Sequence, residues 1–268
     1  MKKEIIITGS TGFIGREVLD NLISKKFSIN CINKSNKIKT SNRITFIKST
    51  LEDGFPNIFI KANTPLIHLA WNNVRNVNDS DHLDKEIKIQ FNFLKKAVLT
   101  GVKKLIVAGS CYEYGMVFGP INVNHLAKPI TPYGIAKLKL FKRLKKLQLK
   151  HHFELLWARI FYVYADNDDS GNIISQFDKA VRNGDKSFAM TYGEQLLDYS
   201  HVSEVSKKII KLIEFKDGVY NICSGKPISI RRLIEKRKEE KKTKINLEFG
   251  KISYRDNEPF AFWGIPNV

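Results

Sequence analysis

Acidic residues are in short supply in this chain of 268 residues: 27 Asp and Glu stand against 45 Lys and Arg, a formal net charge of +18. Cysteine is scarcer still. Cys31, Cys111 and Cys223 are odd in number, far apart and without metal-ligand spacing. That excludes a disulfide framework or a zinc ribbon and makes free thiols of a cytoplasmic protein the expectation. Long apolar runs are missing: no stretch approaches the ~20 residues of a membrane-spanning helix. The opening run Ile5-Ile6-Ile7 is cut by Thr8 and Gly9 too early for a secretory signal. Internal repeats and low-complexity linkers are also lacking. The lysines are spread along the chain rather than gathered in one tract, so a nucleic-acid arm is not expected. A diffuse positive surface would instead attract an anionic cofactor or a nucleotide-linked substrate. A hydrophobic fraction of 43% is that of a globular protein.

What is present is alternation of strand and helix. Glu4–Thr8, Ser28–Asn33, Arg43–Lys48, Pro65–Ala70, Lys103–Ala108 and Phe153–Phe161 read as six strands. Phe13–Lys25 reads as a helix with Ile14, Val18, Leu19 and Leu22 inward. Asp81–Thr100 reads as another, with Leu83, Ile87, Phe91, Leu94 and Val98 at helical spacing and Gly101 as its stop. Thr131 and Pro132 suit the N-cap and first position of a third. The pattern predicts an α/β protein, a Rossmann-type doubly wound parallel sheet covered on both faces. Residues 1–161 form the expected dinucleotide-binding domain. Residues 162–268 form mainly a small C-terminal substrate-binding lobe interleaved with it, including a strand near Val219–Cys223. The charged run Arg231–Lys244 contains Leu233 and Ile234 and reads as a solvated amphipathic helix.

The first strand runs into Thr8-Gly9-Ser10-Thr11-Gly12-Phe13-Ile14-Gly15. Glycines at three-residue intervals between a strand and a helix serve a tight turn, close approach to a pyrophosphate, and helix–strand packing. The helix N-terminus then offers free N–H groups to phosphate. A carboxylate ending the second strand would favour NAD. Here the strand ends Asn33-Lys34-Ser35-Asn36-Lys37. Lys34 and Lys37 suit a 2′-phosphate, with Asn33 as a hydrogen-bonding partner, so NADP(H) is the preferred cofactor and NAD(H) the alternative.

Tyr133 and Lys137 lie four residues apart and therefore on one helix face. Ser110 follows the fifth strand, whose end opens into the cofactor crevice of such a sheet. Ketone reduction needs a proton for oxygen as hydride reaches carbon. A phenol titrates near pH 10, and a neighbouring ammonium is expected to lower that value. Ser110 would hold the substrate oxygen as charge develops. Each residue alone is common; the three with the glycine turn, in this order, form a constellation. Cys111 has no histidine partner and reads as a packed thiol.

The stretches TGSTGFIG, HLAW at 68–71, GSCYEYG at 109–115, PYGIAK at 132–137 and LLDYSHVSEV at 196–205 together resemble the extended short-chain dehydrogenase/reductase family, the NAD-dependent epimerases, dehydratases and reductases of nucleotide sugars. The resemblance covers nearly the whole chain. It implies catalytic roles for Ser110, Tyr133 and Lys137. It implies a cofactor site of Gly9, Thr11, Gly12, Phe13, Ile14, Gly15, Asn33, Lys34, Leu51, Leu69, Ala70 and Trp71, with Tyr133 and Lys137. It implies substrate contacts from Trp71, Cys111, Tyr112 and Arg255, the last toward a diphosphate. Within the family the chain is similar to bacterial 4-ketoreductases of nucleotide-linked 6-deoxysugars, enzymes of deoxysugar and surface polysaccharide biosynthesis.

The resemblance further implies a homodimer through the helix bearing Tyr133. It has departures. Thr50-Leu51 replaces the usual acidic-aliphatic pair, Leu197 replaces an arginine before Asp198-Tyr199, and the last helix usual after the place of Trp263-Gly264 is not in the sequence. A 4-epimerase of the same fold is the alternative activity. A dehydratase would enlist Glu113 as base, but the Asp-Glu pair that should follow the serine is absent. A dinucleotide-sensing or RNA-binding module is the non-enzymatic alternative, supported only by charge.

Overall fold

The structure is a computed structural model that describes residues 3–35, 41–166, 171–255 and 258–268. In chain order the elements are β1 (Glu4–Thr8), α1 (Phe13–Ser24), β2 (Ser28–Asn33), β3 (Ile44–Lys48), β4 (Leu66–His68), a π-helical turn (His82–Glu86) running into α2 (Ile87–Leu99), β5 (Lys104–Ser110), β6 (Gly119–Ile121), α3 (Pro132–Gln148), β7 (Glu154–Ile160) and β8 (Tyr162–Tyr164). There follow α4 (Ile173–Asn183), β9 (Ser187–Met190), β10 (Leu196–Leu197), β11 (Tyr199–His201), α5 (Val202–Lys211), β12 (Gly218–Ile222), β13 (Ile228–Ser229), α6 (Ile230–Glu240), β14 (Asn246–Phe249) and β15 (Ala261–Gly264).

Seven strands form one parallel sheet in the order β3-β2-β1-β4-β5-β7-β12. This is the Rossmann-type doubly wound arrangement. The order reverses between β1 and β4, and a ligand crevice opens at the carboxyl ends of strands at such a switch point. Both faces are covered because successive residues of a strand point to opposite sides. Ile5 and Ile7 pack with Val18 and Leu22 of α1 and Ile209 of α5. Ile6 packs with Phe93 and Leu94 of α2 and Leu140 and Leu144 of α3.

Two elements differ from the sequence expectation. Gly218–Ile222, expected in the smaller lobe, is the edge strand of the main sheet, in parallel register with β7. The helix expected from Asp81 starts with a π-helical turn, His82–Glu86. Gln90, Phe93 and Ala97 are buried beside Ile87, Leu94 and Val98, whereas Phe91 is half-buried.

The remaining strands build a lobe over the sheet's carboxyl end, with a core including Tyr114, Phe161, Phe177, Leu197 and Phe262. β6 pairs with β15 and β10 with β13 and β15, so residues from both halves of the chain share this small sheet. The charged run near its end does form a helix, α6. Its Arg237 is buried and donates to Asp178 at 2.8 Å, an internal partner that a solvated helix would not need. Among the described residues no helix is long and apolar enough to cross a membrane.

Candidate active site

The glycine turn is as tight as its spacing requires. Gly9 adopts φ +71°, and a Cβ there would stand 2.7 Å from the Ala70 nitrogen. A Cβ on Gly15 would stand 1.9 Å from the Gly9 oxygen, so α1 presses onto the turn as only glycine permits. Gly12 donates to the Gly9 carbonyl at 2.9 Å and opens α1 with no side-chain cap. The first-turn N–H groups and the positive helix end therefore face the crevice. Thr11, Gly12 and Phe13 lie at its mouth, and Ile14 packs against the α1-side core. This cradle fits a dinucleotide pyrophosphate.

At the adenosine end the fit is less direct. The Asn33 amide donates to Ser10 Oγ at 2.9 Å and so braces the turn rather than pointing outward for a phosphate. Lys34 is exposed, and Lys37 lies outside the described residues. Leu51 packs on the α2-side core, while Thr50 donates through N–H and hydroxyl to the Asp53 carboxylate.

The segment Leu69–Trp71 is held by a polar relay that the sequence concealed. The Thr8 hydroxyl donates to His68 Nδ1 at 2.8 Å, and His68 Nε2 donates to Gln90 Oε1. The Gln90 amide nitrogen donates to the Ala70 carbonyl and to Glu86, and Glu86 accepts from the backbone and side chain of Asn72. The relay fixes His68 as the neutral Nε2–H tautomer, and burial pushes its pKa down to about 4. The signal available in the sequence was Glu86 and Gln90 at i and i+4, on the face where apolar residues belong.

Ser110 ends β5 and caps the one-turn helix Cys111–Glu113, accepting from the Tyr112 N–H at 3.2 Å. Tyr133 is the second residue of α3, whose Thr131 cap accepts from the Gly134 N–H. The Ser110 side chain acts on the Tyr133 phenol in the direction that lowers its pKa. The Tyr133 ring lies 5.2 Å from His82, 5.8 Å from Trp71 and 6.1 Å from Tyr112, centre to centre. Lys137 follows one turn later, 3% exposed. Its ammonium donates to the Ala108 carbonyl at 2.8 Å and stands 3.7 Å from the centre of Trp71 and 5.5 Å from that of Tyr133. The fold thus brings Ser110, Tyr133 and Lys137 together at the carboxyl end of β5.

The electrostatics depart from expectation. Burial, with Glu113 and Cys111 adding to it, pushes the Tyr133 phenol above its ordinary value; the Ser110 side chain opposes this. Lowering by Lys137 is not seen, because the buried amine gives up its own proton before a phenol of ordinary or raised pKa titrates. Burial pushes Lys137 itself down to about 7, against the pull of Glu113 and Glu86.

Beside Ser110 opens a pocket walled by Cys111, Tyr112, Met116, Ile130, Tyr162 and Phe262. Cys111 is buried, its thiol pushed up by desolvation, and it is packed rather than poised for attack. Arg255 lies outside the pocket, exposed, and pairs with Glu258 at 3.1 Å; Glu258 reaches the pocket wall. Glu113 does not face the pocket. It is fully buried, with its oxygens taken by the Ser110 N–H (2.8 Å), Trp157 Nε1 (2.9 Å) and Arg159 Nε (3.0 Å), so it is no base for dehydration. Leu197 is buried in the lobe. Asp198 accepts from Ser224 N–H, the Ser224 hydroxyl and Gly225 N–H, clamping the loop after β12.

A family model described as the NAD dependent epimerase/dehydratase family matches residues 5–223. The chain belongs to that family. It is an oxidoreductase of the short-chain dehydrogenase/reductase type. It is 30% identical to the dTDP-6-deoxy-L-talose 4-dehydrogenase (NAD(+)) of Aggregatibacter actinomycetemcomitans, over 97% of this chain and 98% of that protein. It is 23% identical to the CDP-abequose synthase of Yersinia pseudotuberculosis, over 96% of this chain and 90% of that protein. Among solved structures it is similar to the UDP-N-acetylglucosamine 4-epimerase from Methanobrevibacter ruminantium M1 in complex with UDP-N-acetylmuramic acid. That likeness has a TM-score of 0.88 at 24% identity, covers 100% of this chain and 91% of the other, and speaks to the fold.

Proposed function

We propose that this protein reduces the 4-keto group of a nucleotide-linked 4-keto-6-deoxysugar, using NADPH in preference to NADH. The observation that carries the reading is the meeting of Ser110 at the end of β5 with Tyr133 and, one helical turn on, buried Lys137, whose amine stands 5.5 Å from the centre of the Tyr133 ring. Two relatives point to the sugar chemistry: the dTDP-6-deoxy-L-talose 4-dehydrogenase and, at 22% identity, the dTDP-4-dehydro-6-deoxyglucose reductase of Escherichia coli. A bound nicotinamide would supply hydride for the ketone carbon. Ser110 and Tyr133 hold the ketone oxygen between them, and the Tyr133 hydroxyl gives it a proton as the C=O bond becomes C–OH. A phenol is protonated near neutral pH and so has the proton to give. Lys137 places positive charge beside the phenolate that remains until solvent returns the proton. Trp71, Cys111 and Tyr112 line the sugar, and exposed Arg255, released from Glu258, meets the diphosphate.

The cofactor preference rests on the end of β2, where exposed Lys34 follows Asn33 and no carboxylate stands. Lys34→Ala should raise KM for NADPH and leave that for NADH unchanged; equal efficiency with both cofactors in the parent protein would end the preference. The activity is tested with a panel of nucleotide 4-keto-6-deoxysugars, following NADPH absorbance and identifying products by NMR. Tyr133→Phe should cost on the order of 10²–10⁴ in turnover while cofactor binding persists. Retention of most turnover would refute the mechanism. A second reading, a nucleotide-sugar 4-epimerase, has a specific observation behind it: 27% identity to a putative UDP-glucose 4-epimerase of Methanocaldococcus jannaschii, over 88% of this chain. An epimerase would interconvert sugars with no net NADPH consumed.

A further inference from the structure

The lysines spread along the chain are not spread evenly over the molecule. α2 and α3 pack side by side over one face of the main sheet, and neither contains a carboxylate. Each of the other helices, α1, α4, α5 and α6, has at least one. Turned outward on the pair are Lys88, Lys95 and Lys96 of α2 and Lys139, Lys142 and Lys146 of α3, all exposed and, among the described residues, in no ion pair. Asp81 and Asp84 lie at the far end, before α2 begins. The same flank carries bare apolar side chains. β4, β5 and β7 run side by side in parallel, so the segments that enter them share one edge of the sheet. Phe59 precedes β4, Leu99 ends α2 before β5, and Leu149 caps α3 before β7; they are 85%, 57% and 85% exposed. Ile58 and Ile60, on either side of Phe59, pack into the core beneath α2 and α3, which ties that loop to this flank. Lys103 and Lys150 lie in the same connectors, exposed, whereas Glu4, Glu154 and Asp217 at this edge are already held by Lys61, Lys104 and Lys145.

We propose that this flank docks the protein on a bilayer bearing anionic phospholipids, with Phe59, Leu99 and Leu149 entering the headgroup region and the lysines of α2 and α3 facing the phosphates. Cations around bare apolar side chains are the pattern of an interfacial binder: the charges supply attraction at a distance and the apolar groups supply insertion. RNA would use the lysines but has no use for two aliphatic side chains, since its bases stack on aromatic rings. A second copy of the chain fits worse. The twofold pairing through α3 that the resemblance implies would set this patch against itself, cation to cation, with no carboxylate on either helix to separate the charges. The crevice opens at the carboxyl ends of the strands, the edge opposite Leu99 and Leu149, so a docked molecule keeps its site open to water and to a dissolved nucleotide sugar. The inference goes beyond the reductase reading and holds for any activity of that site.

The test is flotation of the full chain with vesicles of phosphatidylcholine, alone or with about 30% phosphatidylglycerol. The protein should float with the anionic vesicles only, and about 0.5 M salt should release most of it. Lys95→Glu with Lys146→Glu should lower partitioning by roughly thirtyfold or more. Leu99→Gln with Leu149→Gln should lower it by roughly tenfold. Lys236→Glu with Lys244→Glu, an equal charge change on exposed residues of the lobe at the other end, should lower it far less. All six side chains are exposed, so circular dichroism and thermal melts of the variants should match the parent's. A parent that does not float with anionic vesicles overturns the proposal. So does an equal loss in the lobe variant, which would make the binding a matter of net charge alone. Full binding by the leucine variant overturns it too, since the patch would then suit any polyanion. A parent that sediments as a dimer and is dissociated by the leucine substitutions would assign the flank to a second copy instead.

Discussion

Lys137 should make the protein measurably less stable at neutral and acid pH than it would be without it. The amine is 3% exposed, and burial lowers its pKa from 10.5 to about 7. Between those values the unfolded chain binds the proton and the folded chain does not. Stability therefore rises with pH across that window, and below about 7 the folded state carries the full cost of a buried ammonium. A gap of this size corresponds to a ceiling of about 5 kcal/mol; between pH 6 and pH 9 linkage gives a rise of about 2.5 kcal/mol. Lys137→Met removes the titrating group while keeping most of the apolar stem. It also orphans the Ala108 carbonyl at a cost of about 1–3 kcal/mol, but that cost does not depend on pH. The assay is urea unfolding of both proteins at intervals from pH 6 to pH 9. The difference in unfolding free energy, wild type minus variant, should climb with pH, since all other titrating groups cancel. A difference flat to within about 0.5 kcal/mol would show that the amine is not desolvated as the structure has it.

Other outcomes follow from single sites. Gly15→Ala should weaken cofactor binding by roughly tenfold or more, about 1.4 kcal/mol, because its Cβ would stand 1.9 Å from the Gly9 oxygen; dye-free fluorescence titration with NADPH reads it. Asp198→Ala should destabilise by about 3 kcal/mol, since it orphans the N–H groups of Ser224 and Gly225; a thermal melt checks it. His68 has its pKa pushed down to about 4, so the unfolded chain takes the proton first and stability is lost as pH falls from about 6.5 toward 4. His68→Asn should flatten that acid limb in urea unfolding. An unchanged limb would place the proton uptake elsewhere.

The main sheet was legible because its central strands are buried on both faces and read as apolar runs, as Glu4–Thr8 and Lys104–Ser110 do. β12 was misplaced because an edge strand is shielded less: Gly218, Val219 and Tyr220 are only half-buried, and nothing in so weak a run says which sheet it joins. The π turn was invisible for another reason. A wider turn at a helix start changes backbone bonding without changing composition, and it leaves Ile87, Leu94 and Val98 on the buried face that their spacing predicts. Ser110, Tyr133 and Lys137 were legible because order along the chain and strand-end placement suffice to find them. Their charge states were not, because these are set first by burial, with Glu113 and Glu86, which look like ordinary surface carboxylates until the fold buries them, pulling Lys137 the other way.

That difference bears on the choice between one-way reduction and epimerisation. An epimerase must take a proton from the sugar hydroxyl and return one, so its tyrosine has to visit phenolate readily with substrate in place. Burial, with Glu113 and Cys111 adding to it, holds the proton on the Tyr133 phenol. Under the proposed reading a ketone takes that proton directly, whereas an epimerase would first have to remove it with the sugar hydroxyl in place. Cofactor stoichiometry separates the two, since only the reductase would consume NADPH.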